Sequence, residues 1–195
     1  MIRSSEPTAA TRAVEEATFR TVVSSFPASV AVAAAYGGER VEPHGMTASS
    51  FLAVSLRPML VLISVARSAR LHAVLERQER YAVSLLDHRQ AALARGFAGA
   101  PADRGRDAPE IHWREVSGAP VLEDACAHVV AEIRDRHRAG DHTLFIGEVR
   151  AMAPPARSAT PLSYQQGRFG RVAADDDRWV GDLDPWGGPP CIVWG

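Results

Sequence analysis

The stretch HGMTASSFLAVSLRPMLVLISV, from His44 to Val65, decides the fold. Two apolar runs flank a small polar patch between Gly45 and Ser50. Met59 to Val65 is β-rich and long enough for a fully buried strand. Pro58 has no N–H to give a ladder, so it belongs at that strand's start. Ahead of it, Thr47, Ser49 and Ser50 crowd their hydroxyls around the small Ala48. Hydroxyls and open backbone N–H groups beside a small residue suit a flat, polar heterocycle with a phosphate tail. The same residues also make a plain surface turn entering a core strand, and the pattern alone leaves both readings open.

Upstream, Phe19, Val22, Val23 and Phe26 recur at helical spacing, which predicts a helix over Thr11 to Phe26 that Pro27 ends. Ala28 to Tyr36 is a small-residue strand followed by a Gly37-Gly38 hairpin turn. Downstream, Ser68 to Arg80 reads as a helix with Ser68 as N-cap and Leu71, Val74 and Leu75 as its apolar stripe. Tyr81 to Leu86 is a strand. Asp87 with Gln90 forms a capping box for a helix stopping near Gly96. Gly99 to Glu110 is a long loop, His112 to Val116 a short strand, and Gly118-Ala119-Pro120 a turn. Cys126 to His137 and Thr143 to Met152 form a hairpin about Ala139-Gly140-Asp141, and Pro161 to Val172 is a short return segment. Strands with few, separated helices predict an α+β fold with a barrel-like sheet.

The chain has 195 residues, enough for one domain with a sizeable core. It divides into a loose arm over 1–10, a folded domain over 11–174 and an acidic tail over 175–195 bearing Trp179, Trp186 and Trp194. With 22 basic and 23 acidic residues the formal net charge is −1, which gives no general reason to expect nucleic acid or an anionic membrane as partner. Cys126 and Cys191 lack metal-ligand or disulfide-framework spacing, so free thiols in a reducing cytoplasm are expected. No run reaches the ~20 apolar residues of a membrane helix, and the first residues lack the apolar segment of a secretory signal.

For a phosphate, Ser64 near the end of the buried strand and Ser68 flanked by Arg67 and Arg70 offer hydroxyls, guanidinium groups and a helix start. An ordinary capped helix with surface arginines has the same pattern. At the hairpin turn, His142 is placed either to hydrogen-bond a nicotinamide amide or to face solvent. No GxGxxG or Walker loop is present, nor a GxSxG elbow. The seven histidines show no metal-ligand spacing.

Several segments, in order, resemble the flavin reductase-like family. They are FRTVVSSFP, GMTASSF with VSLRP, YAVSLL with Gly96-Phe97-Ala98, GDHTLFIGEV, and PLSYQQGRFGRV. The resemblance spans Phe19 to Val172 and implies an FMN-binding split β-barrel with flanking helices, usually a homodimer. It implies FMN or FAD as flavin, NADH or NADPH as co-substrate, and a partner monooxygenase that consumes the reduced flavin. By the same resemblance, Met46, Thr47, Ala48, Ser49 and Ser50 would line the isoalloxazine and ribityl chain. Ser64, Val65, Ala66, Arg67, Ser68 and Arg70 would receive the phosphate, and Phe97 would lie near the flavin. His142 would orient the nicotinamide, with Tyr164 and Arg168 as secondary contacts.

Ser29, Ser84 and Ser68-Ala69-Arg70 depart from the family's usual glycine, asparagine and Ser-x-Thr. The resemblance implies an NAD(P)H:flavin oxidoreductase, with the tail expected to shield the site, while these departures leave room for a changed role. The alternatives are a biosynthetic enzyme reusing the pocket on a secondary metabolite, and a non-catalytic flavin carrier.

Overall fold

The structure, a computed structural model, describes residues 15–37, 42–99, 110–156 and 159–171. The N-terminal arm, the tip of the Gly37-Gly38 turn, most of the long loop and the tryptophan-bearing tail lie outside the described residues.

The elements, in order, are helix α1 (Glu16–Ser24), strands β1 (Ala28–Ser29), β2 (Ala31–Gly37), β3 (Glu42–Ala48), β4 (Leu52–Leu56) and β5 (Met59–Ala66), helix α2 (Arg70–Leu75), strand β6 (Arg80–Leu85), helix α3 (Ala91–Ala98), and strands β7 (Trp113–Val116), β8 (Ala119–Leu122), β9 (Ala127–Ala139), β10 (His142–Ala153), β11 (Leu162–Gln165) and β12 (Arg168–Arg171). Seven strands form one antiparallel sheet in the order β3-β2-β6-β9-β10-β5-β4. Its two edge strands, β3 and β4, are consecutive in sequence and joined only by Ser49, Ser50 and Phe51. So short a connection between opposite edges forces the sheet to curl into a barrel. The hydroxyl of Ser50 fastens the joint: it donates to the Ser64 carbonyl at 2.9 Å and accepts from the Ser64 N–H at 3.1 Å.

The barrel interior takes one face of each strand, including Ala31, Ala33, Ala35, Val61, Ile63, Val65, Tyr81, Val83 and Phe145. The run of alanines on β2 leaves room for the larger side chains opposite. A second apolar cluster under α3 joins Val30, Val32, Leu86, Leu93, Phe97 and Leu162. There β1, β11 and the end of β6 exchange backbone bonds: Val30 N–H to Leu162, Leu162 to Leu86, and Leu86 back to Val30.

Several expected boundaries shift, each for a physical reason. β5 is not buried on both faces: Val61, Ile63 and Val65 point inward, while Leu60, Leu62 and Ser64 are half-buried on the outside. α2 is shorter than expected, and its N-cap is Ala69, not Ser68, with no side-chain cap. It stops after Leu75 because the Arg136 guanidinium, arriving from β9, donates to the Leu75 and Gln78 carbonyls. The Gly118-Ala119-Pro120 turn is displaced to Ser117-Gly118, whose φ values of 48° and 78° make the mirror-image hairpin turn. Ala119 and Pro120 lie in β8, in a two-stranded ladder with β7 where a proline is tolerated. The Asp87–Gln90 capping box is present, through a 3-10 turn over His88–Gln90, and α3 runs past Gly96 to Ala98. The stripe on α1 exists, but no side chain of α1 is buried among the described residues.

Candidate active site

Two clefts open on either side of Met46, and α3 sets the wall between them. α3 is placed by its first turn. The Asp87 carboxylate accepts from the Arg89 N–H at 3.0 Å and the Arg89 side chain at 2.6 Å, and the Asp87 N–H donates to the Gln90 side-chain oxygen at 2.8 Å. The Arg89 side chain holds the Asp87 carboxyl well below the usual carboxylate range. Further along, Thr47 on β3 donates its hydroxyl to the Ala94 carbonyl at 2.6 Å, tying α3 to the strand that leads into the barrel joint.

The first cleft has a volume of about 460 Å³ and is bounded by β3, the start of α2, the end of α3 and Trp113. His44, Arg70, Phe97 and Trp113 give it a base, a cation and two rings. Phe97 and Trp113 meet edge to face, centroids 5.8 Å apart. Gly45 makes this packing possible, since a Cβ there would stand 2.7 Å from the Phe97 ring.

The second cleft, about 440 Å³, shares Met46 and Ala98 with the first. Thr47, Ser49, Arg95, Tyr164 and Phe169 line it. Tyr164 and Phe169 face each other across the β11–β12 hairpin, centroids 5.3 Å apart, and the Arg95 guanidinium lies 5.2 Å from the Phe169 centroid. Among the described residues neither Arg70 nor Arg95 is ion-paired, whereas Arg20, Arg80, Arg89, Arg134 and Arg150 are. Both volumes fall in the range of small-molecule and cofactor sites. Rings, hydroxyls and unpaired guanidinium groups are the chemistry that receives an aromatic heterocycle carrying phosphate. Among the described residues, no three His, Cys, Asp or Glu side chains are grouped to hold a metal ion.

Residues 23–173 match the family described as "Flavin reductase like domain". The chain belongs to the flavin reductase family. It is 41% identical over 162 residues to the NADH-dependent FAD reductase of Streptomyces globisporus, covering 81% of this chain and 86% of that one. It is 34% identical over 162 residues to the actinorhodin polyketide dimerase of Streptomyces coelicolor, covering 83% and 89%. The solved NADH:FAD oxidoreductase of Streptomyces globisporus, in complex with NAD and FAD fragments, superposes with a TM-score of 0.73 at 37% identity, covering 84% of this chain and 96% of that one. The curled sheet is thus the split barrel of the flavin reductases.

The residues that the family resemblance singles out are not all in one place. Met46, Arg70 and Phe97 line the first cleft, and Met46, Thr47, Ser49 and Tyr164 the second. Ser50 and Ser64 are bonded to each other. Ala48 and Val65 have their side chains in the barrel core and pair with Ala31 and Thr143 in the sheet. Ala66 pairs with His142 across β5 and β10, and the Arg67 N–H donates to the Asp141 carbonyl at 2.9 Å. Ser68 is exposed just before α2, and Arg168 is exposed beside the β11–β12 turn. His142 lines neither cleft. Its neighbour Thr143 points into the core and shares a 2.8 Å hydrogen bond with His72, so His142 faces outward, with Nδ1 2.7 Å from the Asp141 carboxylate.

Two of the family departures have local explanations. Ser84 is fully buried, and its hydroxyl accepts from the Leu122 N–H at 3.1 Å, holding β8 on the sheet. Arg70, in the Ser68-Ala69-Arg70 departure, lines the first cleft. His44, Arg95, Trp113 and Phe169 were not legible as site residues. His44 opens the quoted His44–Val65 stretch, Phe169 falls within PLSYQQGRFGRV and Arg95 adjoins the Gly96 block, the local signals they carry.

Proposed function

We propose that this chain is an NAD(P)H-dependent flavin reductase that hands its reduced flavin to a partner monooxygenase. The observation that carries this reading is the pair of adjoining clefts divided by Met46, each with aromatic rings and an unpaired arginine. Hydride transfer between two heterocycles needs two neighbouring ring sites and no nucleophile from the protein. A bound flavin and a reduced nicotinamide would supply the hydride chemistry between them, and the chain has to hold and orient the two rings. The flavin fits the first cleft, where Gly45 and the Phe97–Trp113 pair leave a slot for a ring system and Arg70 meets its phosphate. The main chain of Met46 to Ser50 carries the flavin edge toward the second cleft, which takes the nicotinamide nucleotide. Relatives that are NADH-dependent reductases support this reading. Reduced flavin reacts readily with oxygen, so a dedicated acceptor follows from its chemistry.

The reading includes a second copy of the chain. α1 exposes Phe19, Val22 and Val23, the bend after it exposes Phe26, and β4–β5 expose Leu52, Val54, Leu56 and Met59. A helix of nine residues with no buried side chain is marginal in water, and so many exposed apolar groups on one chain mark an interaction face. In a two-fold dimer these faces cover one another. His142, on the outward face of β10 with Leu144 and Ile146, would act from the rim of that interface on a nicotinamide held by the partner chain. The site of action is the cytoplasm, in keeping with the free thiol of Cys126; no helix among the described residues is long and apolar enough to cross a membrane.

The test is flavin binding by fluorescence quenching with FMN, FAD and riboflavin. Saturable binding of at least one flavin, weakened by Arg70→Ala when the flavin carries phosphate, is expected. Binding of none of them contradicts the proposal. The actinorhodin polyketide dimerase relative supports one other reading, a biosynthetic enzyme that reuses the pocket on a secondary metabolite with flavin-dependent chemistry. Flavin bound but left unreduced by NADH and NADPH is the result that favours it.

A further inference from the structure

We infer that Arg95 is the residue that takes a phosphate of the reduced nicotinamide dinucleotide, an assignment that rests on the reductase reading above. α3 buries Leu93, Ala94 and Phe97 against the core and leaves Arg95 on its exposed side, toward the β11–β12 hairpin. There the guanidinium lies 5.2 Å from the Phe169 centroid, and Phe169 is itself backed by Tyr164. The guanidinium carbon stands over the ring, and among the described residues no acceptor takes a hydrogen bond from its N–H donors.

No carboxylate pairs with Arg95 among the described residues, and none of the residues lining the second cleft is acidic. The side chain is held by a ring and, among the described residues, has no ion-pair partner. That combination matches a phosphate, which accepts two parallel N–H bonds from a planar donor. Lysine has no such planar fork.

The neighbours complete a nucleotide's chemistry. Ser49 exposes its hydroxyl in the same cleft, suited to a ribose. The half-exposed Tyr164 ring offers a stacking surface for a base. Thr47 makes a different contribution. Its bond to Ala94, the residue before Arg95, fixes where the guanidinium stands relative to the barrel joint. Arg70 is the corresponding cation of the first cleft, so each of the two anionic ligands meets its own arginine.

The experiment compares the full chain with Arg95→Ala and Arg95→Lys, using NADH and N-benzyl dihydronicotinamide, a hydride donor without phosphate. NADH binding is also titrated directly by its fluorescence. For Arg95→Ala the Kd and KM for NADH should rise about ten-fold or more, the loss expected of a charge-assisted hydrogen bond. The value of kcat with NADH should change much less than KM. The KM for the phosphate-free donor should stay within about two-fold, set by the same loss being absent there. Arg95→Lys should recover part of the loss, because it restores charge without the fork. Equal losses with both donors, or an unchanged Kd for NADH, overturn the inference. A loss of FMN binding with riboflavin binding intact overturns it too, since the phosphate would then be the flavin's. Failure of the unaltered chain to reduce flavin with either donor strikes the reductase reading itself, and the NADH titration then still decides whether Arg95 binds the dinucleotide.

Discussion

A methyl group at Gly45 would sit 2.7 Å from Cε1 of Phe97 and 3.1 Å from the Val32 side chain. Phe97 is buried and pinned by Trp113, so it cannot swing away freely. Gly45→Ala should therefore cost about 1–3 kcal/mol by overpacking. It should also weaken flavin binding, because the ring it displaces is the wall of the first cleft. Thermal unfolding and a flavin titration on one variant check both parts. Asp87 makes a prediction about acid. Its carboxyl is held low in the folded chain, so its stabilising contribution is fully present above the ordinary value of 3.8 and is lost as pH falls below it. Asp87→Asn should be less stable than the parent at neutral pH, and the gap should narrow below about pH 4. A gap that stays constant with pH would show that the carboxylate charge contributes nothing. At this scale the sequence was readable for types and not for partners. The hydroxyls of Thr47 and Ser50 look like ligand donors, yet they hold Ala94 and Ser64, whose backbone lies 47 and 14 residues away. Nothing in the local pattern distinguishes Arg95 from the other arginines.

The three-residue link from β3 to β4 is the element on which the barrel depends. It joins opposite edges of a seven-stranded sheet, with Phe51 packed on the core and Ser50 clamped to β5. Ser50→Ala leaves the Ser64 N–H and carbonyl without this partner and should destabilise the chain by about 1–3 kcal/mol. The strands were legible because alternation and turn residues are local signals, as in β9 and β10. The ends of α2 were not, because the residue that terminates it, Arg136, arrives from β9. The outer face of β4 carries the dimer prediction. Leu52 is more than half exposed and stands opposite Leu62, which stands opposite Ile146. Leu52→Asp should shift the sedimenting species from dimer to monomer with the far-ultraviolet spectrum unchanged. A parent chain that already sediments as a monomer contradicts the proposed pairing.

At the level of the whole molecule, strand β3, two short helices and two small strand pairs converge on Met46. The first cleft gathers β3, α2, α3 and β7, and the second gathers β3, α3, β11 and β12. No one segment of the sequence displays either cleft, because each is assembled from residues far apart in the chain. What the sequence did display was the block from Gly45 to Pro58 that closes the barrel between them, which is why the fold and family could be read before the ligand geometry. The account makes one claim above the others: this barrel brings a reduced nicotinamide to a flavin. The direct measurement is consumption of NADH and of NADPH by the purified chain, with and without FMN, FAD or riboflavin, against an enzyme-free control. The account predicts flavin-dependent consumption well above the control with at least one pair. No consumption above the control with any pair, from a folded chain that binds flavin, would contradict it.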